Sequence, residues 1–156
     1  MTLRGSVPRV ALLVLATLLP ASLLSAPADS APSPQTTYAN QAFTATNNQR
    51  AAHDLVKLNQ SSCLKRFAAA QAQKMANQGR IFHQPLAPIA NRCHLRAVGE
   101  NVAYGYPNGN AVVRAWMNSP GHRANILNRI YRRMAIAARQ SSQGTWYVAQ
   151  VFGRRL

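Results

Sequence analysis

Few side chains in this sequence can carry acid–base, nucleophilic or metal chemistry. The only acidic residues are Asp29, Asp54 and Glu100, against 18 Lys and Arg. Glycosidases normally need two opposed carboxylates and calcium sites need several, so the composition disfavours both classes. Any carboxylate at a catalytic or metal centre must therefore be Glu100 or Asp54.

The remaining candidate groups do not form a recognisable catalytic pattern. The chain has four histidines: His53, His83, His94 and His122. His53 and Asp54 are adjacent on a predicted helix, so they point to different faces, and we do not expect His53 or His94 to be ligands. Ser119 lies three residues before His122, but a serine preceding Pro120 is better suited to cap a helix. No HExxH, Walker or GxGxxG motif is present, so the sequence favours a non-enzymatic protein.

Residues 1–28 have the features of a secretory signal peptide. Arg4 and Arg9 accompany an apolar stretch over residues 10–24, and an Ala-Pro-Ala cleavage sequence follows at 26–28. The stretch is shorter than the roughly 20 residues that a membrane span needs, although an uncleaved N-terminal anchor stays open as an alternative. We therefore expect a secreted, extracellular protein without a transmembrane segment after cleavage.

Two cysteines, Cys63 and Cys93, follow the predicted export signal. An even number of cysteines in an oxidising compartment favours a disulfide, worth roughly 3–4 kcal/mol in chain-entropy models. Two separate buried thiols are the alternative. A metal role for the pair is weaker, because neither CxxC nor CxxH spacing occurs.

The periodicity of the remaining chain predicts helices first and strands last. The Pro- and Ser-rich residues 29–38 predict a flexible lead-in, and 39–156 the folded domain. Apolar spacing predicts helices at 40–58, 63–78, 109–118 and from Pro120 to about Leu127. Residues 80–108 are interrupted by Pro and Gly and predict a loop, with a short extended piece at 101–104. Residues 134–138 and 146–152 predict a hairpin turning at 141–144, which indicates an α+β fold.

Three stretches resemble the CAP superfamily, which groups cysteine-rich secretory proteins, antigen 5 and pathogenesis-related proteins. They are VGENVAYG at 98–105, WMNSPGHRANILN at 116–128 and QVFG at 150–153. With only two cysteines, the chain resembles the small bacterial secreted members. The resemblance implies an α-β-α three-layer sandwich, with an antiparallel sheet ending in a hairpin and a shallow cleft.

The same resemblance implies a set of cleft residues: His83, Glu100 and His122. The position of a second family Glu falls on Ser119, and Arg133 stands where many bacterial relatives have another Glu. Two His and one carboxylate are enough for Zn²⁺ or another divalent cation with one open position. A hydrogen-bonded polar cluster without metal is the alternative, and both stay open.

Three functional hypotheses follow. The first is a secreted, non-enzymatic CAP-domain protein that binds a small apolar or lipid-like ligand, or a cell-envelope partner, in the cleft. The second is a zinc-dependent hydrolase using His83, His122 and Glu100. The third is a cationic factor that binds anionic polymers or surfaces through its formal net charge of +15. We expect a monomer and no specific nucleic-acid partner, because no helix-turn-helix, RRM or finger pattern is present.

Overall fold

The structure is a computed structural model that describes residues 1–2 and 31–156. Most of the predicted signal peptide and the start of the predicted lead-in lie outside the described residues. In the part that is described, no helix is long and apolar enough to cross a membrane. The unit that carries the candidate site spans Ala31–Leu156.

Helices and a four-stranded sheet make up this unit. The elements are α1 (Pro34–Ala51), β1 (Asn59–Gln60), α2 (Ser62–Gln78), α3 (Ala87–Cys93), β2 (Leu95–Tyr104), α4 (Gly109–Met117), α5 (Pro120–Ile126), β3 (Arg133–Gln140) and β4 (Trp146–Arg155). The strand order is β1-β3-β4-β2, with β4 antiparallel to both β2 and β3. The two-residue β1 pairs parallel with β3, so the predicted antiparallel sheet has one short parallel edge.

The sheet separates two apolar cores, which confirms the predicted three-layer sandwich. Side chains from α1, α4 and α5 pack on one face of the sheet, and side chains from α2 and α3 pack on the other. Strand β3 shows why both faces are filled. Its residues Met134, Ile136 and Ala138 join the first core, whereas Ala135 and Ala137 join the second, as the two-residue period of a strand requires.

Helix α1 begins earlier than its apolar pattern indicates. Pro34 occupies its first turn, where a missing N–H costs nothing, and the Ser33 hydroxyl accepts a hydrogen bond from the Thr36 N–H at 3.3 Å. The prediction of a flexible lead-in is therefore wrong for residues 34–38. Proline and serine there start a helix instead of breaking one.

The same helix also ends earlier than predicted, at Ala51. The backbone turns at Asp54, which has a left-handed φ of 54°. Leu58 was expected on the helix, but it lies in an extended segment held by the side chain of Asn47. That amide accepts from the Leu58 N–H at 2.8 Å and donates to the Leu58 carbonyl at 3.1 Å. The apolar spacing therefore continued past the end of the helix.

The sequence prediction missed α3 and most of β2 within the expected loop. Pro88 lies in the first turn of α3, a position that tolerates proline. Gly99 lies inside β2 because a Cβ at this position would collide with the Tyr131 hydroxyl. The residues that indicated a loop are thus accommodated at the start of a helix and at one crowded point of a strand.

Two other predictions are confirmed. Strands β3 and β4 form the expected hairpin, and Gly144 takes a left-handed φ of 80° in its turn. Cys63 and Cys93 form a disulfide that joins the start of α2 to the end of α3, at a sequence separation of 30. This bridge fastens the segment that carries His83 to the α2 side of the sandwich.

Candidate functional site

Glu100 lies on β2 and is the acidic centre of the site. Its side chain is 1% exposed, whereas that of His83 is 62% exposed. The Glu100 carboxylate accepts from the Gln84 backbone N–H at 3.2 Å and from the Gln84 side-chain amide, and its Oε1 lies 2.9 Å from the His83 Nδ1. The buried carboxylate is therefore fully hydrogen-bonded, as its burial requires.

His122 lies in the short helix α5 and pairs with a different partner. Its Nδ1 is 2.8 Å from the Ser119 Oγ, and its ring centre is 6.3 Å from that of Trp116. Ser119 does occupy the residue before α5, but its side chain makes no capping hydrogen bond. The predicted capping role of this side chain is wrong, because the hydroxyl contacts the imidazole instead.

The surroundings of His122 favour its neutral form. Burial lowers the pKa of His122 below its usual 6.5, and the nearby charge of His83 lowers it further. A neutral imidazole both donates and accepts hydrogen bonds, so the Ser119–His122 pair can offer a polar ligand either role.

A chain of buried amide side chains positions these groups. The Asn101 amide donates to the His122 carbonyl at 3.2 Å and to the Gln150 Oε1 at 3.0 Å. The Asn125 amide donates to the Asn101 Oδ1 at 2.9 Å, and the Gln150 amide donates to the Thr46 Oγ1 at 2.9 Å. The chain therefore ties α1, β4, β2 and α5 together beneath the site.

No role for these amides was expected from the sequence, although all three lie in the motifs quoted above. A signal for them exists. Asn101 and Gln150 are polar residues next to apolar runs of β2 and β4, and both are 0% exposed. A polar residue in a buried strand needs a buried partner, and that requirement could have linked the motifs before the structure was known.

The placement of the three expected ligands does not fit a bound metal ion. Within residues 1–2 and 31–156, no group of three His, Cys, Asp or Glu side chains could hold one. The two histidines have different partners, because the His83 Nδ1 contacts Glu100 whereas the His122 Nδ1 contacts Ser119, and the Glu100 oxygens also accept from Gln84. The expectation of Zn²⁺ or another divalent cation stays a prediction without support from this geometry.

The remaining candidates lie away from these pairs. His53 contacts the Gln49 carbonyl through Nδ1 at 2.7 Å and Arg123 through Nε2 at 3.3 Å. His94 is exposed and follows α3 with a left-handed φ of 52°. Arg133 begins β3 and is half-buried. None of these side chains hydrogen-bonds to His83, Glu100 or His122 in the described part of the chain.

An apolar pocket of about 290 Å³ opens beside the Ser119–His122 pair. Its other lining residues are apolar or aromatic: Ile81, Val102, Ala103, Tyr104, Tyr106, Ala115 and Trp116. Ile81 and Tyr104 are 42% and 54% exposed, so the pocket lining includes two large side chains that are partly open to solvent. An apolar cavity with a few convergent polar groups is the usual form of a small-molecule site.

Comparison with known proteins identifies the family. Residues 43–152 match the model of the cysteine-rich secretory protein (CAP) family, and the chain belongs to it. It is 31% identical over 132 residues to the uncharacterized protein YkwD of Bacillus subtilis. An outer surface protein of Borrelia burgdorferi has the same fold, with a TM-score of 0.67 and 22% identity over 73% of this chain and 90% of that one.

An extracellular SCP-domain protein of Bacillus anthracis is also similar in fold. Its TM-score is 0.68, with 24% identity over 81% of this chain and 45% of that one. The match to YkwD covers 80% of this chain but 51% of YkwD. The chain thus spans about half the length of this curated relative.

Proposed function

We propose that this protein is exported and acts as a non-enzymatic CAP-domain binding protein for a small apolar, lipid-like ligand with one polar end. The apolar part of the ligand occupies the pocket between β2 and α4, and its polar end meets Ser119 and His122. The pocket, with its exposed Ile81 and Tyr104, is the observation that carries this proposal. Export rests on the N-terminal sequence pattern.

Three features support a binding role. About 290 Å³ lies at the lower end of the range for small-molecule sites, which fits a single short chain or ring. The buried amide chain holds α5 against β2, so the polar end of the site is already ordered before a ligand arrives. Exposed apolar side chains at the rim gain stability when a ligand covers them.

The metal-dependent alternative receives less support. A cation at Glu100 would compete with the contacts that the carboxylate already makes with His83 and with the two amide groups of Gln84. Titration of Zn²⁺ into the protein and into His83→Ala is the direct test. Tight binding that disappears in the variant would favour the hydrolase over the present proposal.

A saturated C10 alcohol, 1-decanol, is a suitable probe for the apolar ligand. We expect it to change the chemical shifts of Trp116 and of residues 102–104 in the ¹⁵N-labelled protein. Ala115→Phe places a large side chain in the pocket and should reduce binding by about tenfold or more, the factor that roughly 1.4 kcal/mol of lost contact gives. Ala111→Phe, also on α4 but outside the pocket lining, is the matched control.

Two further comparisons locate the polar end. Ser119→Ala should weaken binding of 1-decanol several-fold, because it removes one net hydrogen bond of about 1 kcal/mol. The same substitution should leave binding of n-decane unchanged. If 1-decanol and n-decane bind equally to the unaltered protein, or if Ala115→Phe and Ala111→Phe behave alike, the proposed site is wrong.

A further inference from the structure

A second concave surface lies at the opposite edge of the sheet, far along the strand order from β2. It is a groove of about 580 Å³ between the start of α1 and the outer side of α2. Its floor is formed by β3, residues 136–139. Strand β1 lies beside β3 at this edge of the sheet, but it pairs only with Arg133 and Met134 before the chain turns into α2.

The hydrogen bonds at the two ends of β3 show which of its backbone groups point towards this groove. The Met134 carbonyl accepts from the Ser61 N–H at 3.1 Å, on the β1 side. At the other end, the Ser141 N–H donates to the Thr145 carbonyl at 2.9 Å, on the β4 side. Because successive residues of a strand alternate between its two sides, both ends agree that Ile136 and Ala138 direct their N–H and carbonyl groups away from β4.

These groups have no strand opposite them within the described residues. The Ala138 carbonyl accepts from the Arg139 guanidinium at 2.9 Å, whereas both N–H groups and the Ile136 carbonyl have no described partner. Sheet edges left in this way are templates for another chain, and proteins usually blunt them with charges or cover them. Ile136 and Ala138 are themselves 5% and 0% exposed, so side chains of the groove cover these backbone groups, and another chain reaches them only when those side chains move aside.

The two walls of the groove differ in character. On the α1 side, Phe43 and Ala39 stand beside the side chain of Ile136, which belongs to the same core. The cations Lys65 and Arg139 also line the groove. Lys65 lies on α2. Arg139 lies two residues after Ala137 in β3, so its side chain is on the same face of the sheet as that of Ala137, towards α2. Among the described residues, no acidic side chain lines the groove, so its α2 side is positively charged.

We propose that this groove binds an extended acidic peptide segment of another protein, which adds to the sheet as a strand beside β3. Its backbone pairs with Ile136 and Ala138 and continues the line begun by β1. Alternate side chains of the peptide face the two walls: apolar ones meet Phe43 and Ile136, and carboxylates meet Lys65 and Arg139. This is the strand-addition mode of peptide recognition, in which main-chain hydrogen bonds give affinity and alternate side chains give specificity.

A blocked pentapeptide of alternating Val and Glu, with Val at both ends, is the probe. In ¹⁵N-labelled protein, we expect its addition to slow hydrogen exchange at the Ile136 and Ala138 amides. The Ala135 and Ala137 amides, which already face β4, should keep their exchange rates. The same peptide with N-methyl groups on the residues that pair with β3 cannot form the ladder and should bind at least about tenfold more weakly.

Charge variants test the specificity of the site. Lys65→Glu combined with Arg139→Gln should weaken the acidic peptide about fivefold at low salt, from two exposed ion pairs of about 0.5 kcal/mol each. The same variant should improve binding of the matching Val/Lys peptide. Arg66→Glu, on the same helix but outside the groove lining, is the matched control.

Three results would overturn the proposal. The first is equal binding of the normal and N-methylated peptides, and the second is protection that does not single out the Ile136 and Ala138 amides. The third is a dimer that forms with increasing protein concentration in sedimentation and in which these two amides are already protected from hydrogen exchange without peptide. A second copy of the chain would then occupy the edge.

Discussion

The two concave surfaces of this domain lie at opposite edges of one sheet and are built in opposite ways. Beside β2, the polar groups are buried and paired with each other, from Thr46 through Gln150 and Asn101 to Asn125. Beside β3, backbone groups of Ile136 and Ala138 face a groove without a strand opposite them. In the described part of the chain, no strand lies beside β3 beyond the two residues of β1, although Ile136 and Ala138 are themselves buried.

This difference separates residues that hold the fold from residues that are available for contact. A buried amide that loses its partner destabilises the protein, so the first edge tolerates little change. The exposed side chains on the α2 side of the second edge make few buried contacts, so they can change at small cost. The predictions below test this division.

The disulfide should contribute most to stability. Reduction, or Cys63→Ser combined with Cys93→Ser, should lower the free energy of unfolding by about 3–4 kcal/mol, because it frees a loop between residues 30 positions apart. Urea unfolding with and without reductant measures this loss. A reductant effect that persists in the double variant would show that the bridge is not its cause.

Breaking the amide chain at its centre should have the next largest effect. Asn101→Ala leaves the Gln150 Oε1 and the His122 carbonyl without this donor, and should cost about 2–3 kcal/mol in urea unfolding. Asn77→Ala, which removes an exposed amide near the end of α2, is the control and should change stability by less than about 0.5 kcal/mol. Equal losses in the two variants would contradict the division between the edges.

Acid should weaken the first edge through His122. Its pKa is lowered by the fold, so the unfolded chain binds the proton more readily as pH falls through about 6.5. The stabilisation from this neutral imidazole is present above that pH and is lost below it. Thermal unfolding between pH 7.5 and 5 should therefore depend less on pH in His122→Gln than in the unaltered protein. His94→Asn is the control, since asparagine tolerates the left-handed backbone there, and an identical slope in both variants would contradict this role.

The smallest effect is expected at the groove beside β3. Lys65→Ala and Gln73→Ala, on its α2 side, should each change the free energy of unfolding by less than about 0.5 kcal/mol, because both side chains are exposed. Urea unfolding again provides the measurement. A loss above about 1 kcal/mol would mean that these residues maintain the fold and would remove the contrast between the edges.

The first edge could be predicted from the sequence far better than the second. Its motifs contain Glu100, Ser119 and His122, all of which lie at the cleft or the adjoining pocket. The pairing of His83 with Glu100 could not be predicted locally, because it joins the segment after α2 to β2 across 17 residues. The pairing of His122 with Ser119 is local, across three residues, and it was missed because Ser119 was expected to cap α5.

The errors in the fold have related physical causes. Leu58 has the spacing of a helical residue, yet Asn47 holds it in an extended segment. Gly99 looks like a loop residue, yet crowding by Tyr131 requires it inside a strand. The local sequence pattern indicates only the secondary structure that a short segment favours by itself. In both cases a tertiary contact led to a different secondary structure.

The sequence by itself determined the α+β class and the positions of α2, α4, α5 and the hairpin. It also determined which cysteines pair and to which family the chain belongs. These features follow from local periodicity, caps, turns and motifs, which need no knowledge of distant neighbours. Only the tertiary structure decided which polar groups become partners, where the apolar pocket opens and where the sheet ends uncovered. Those features depend on how separate segments pack, and β1 stops after two residues because Ser61 turns the chain into α2 there.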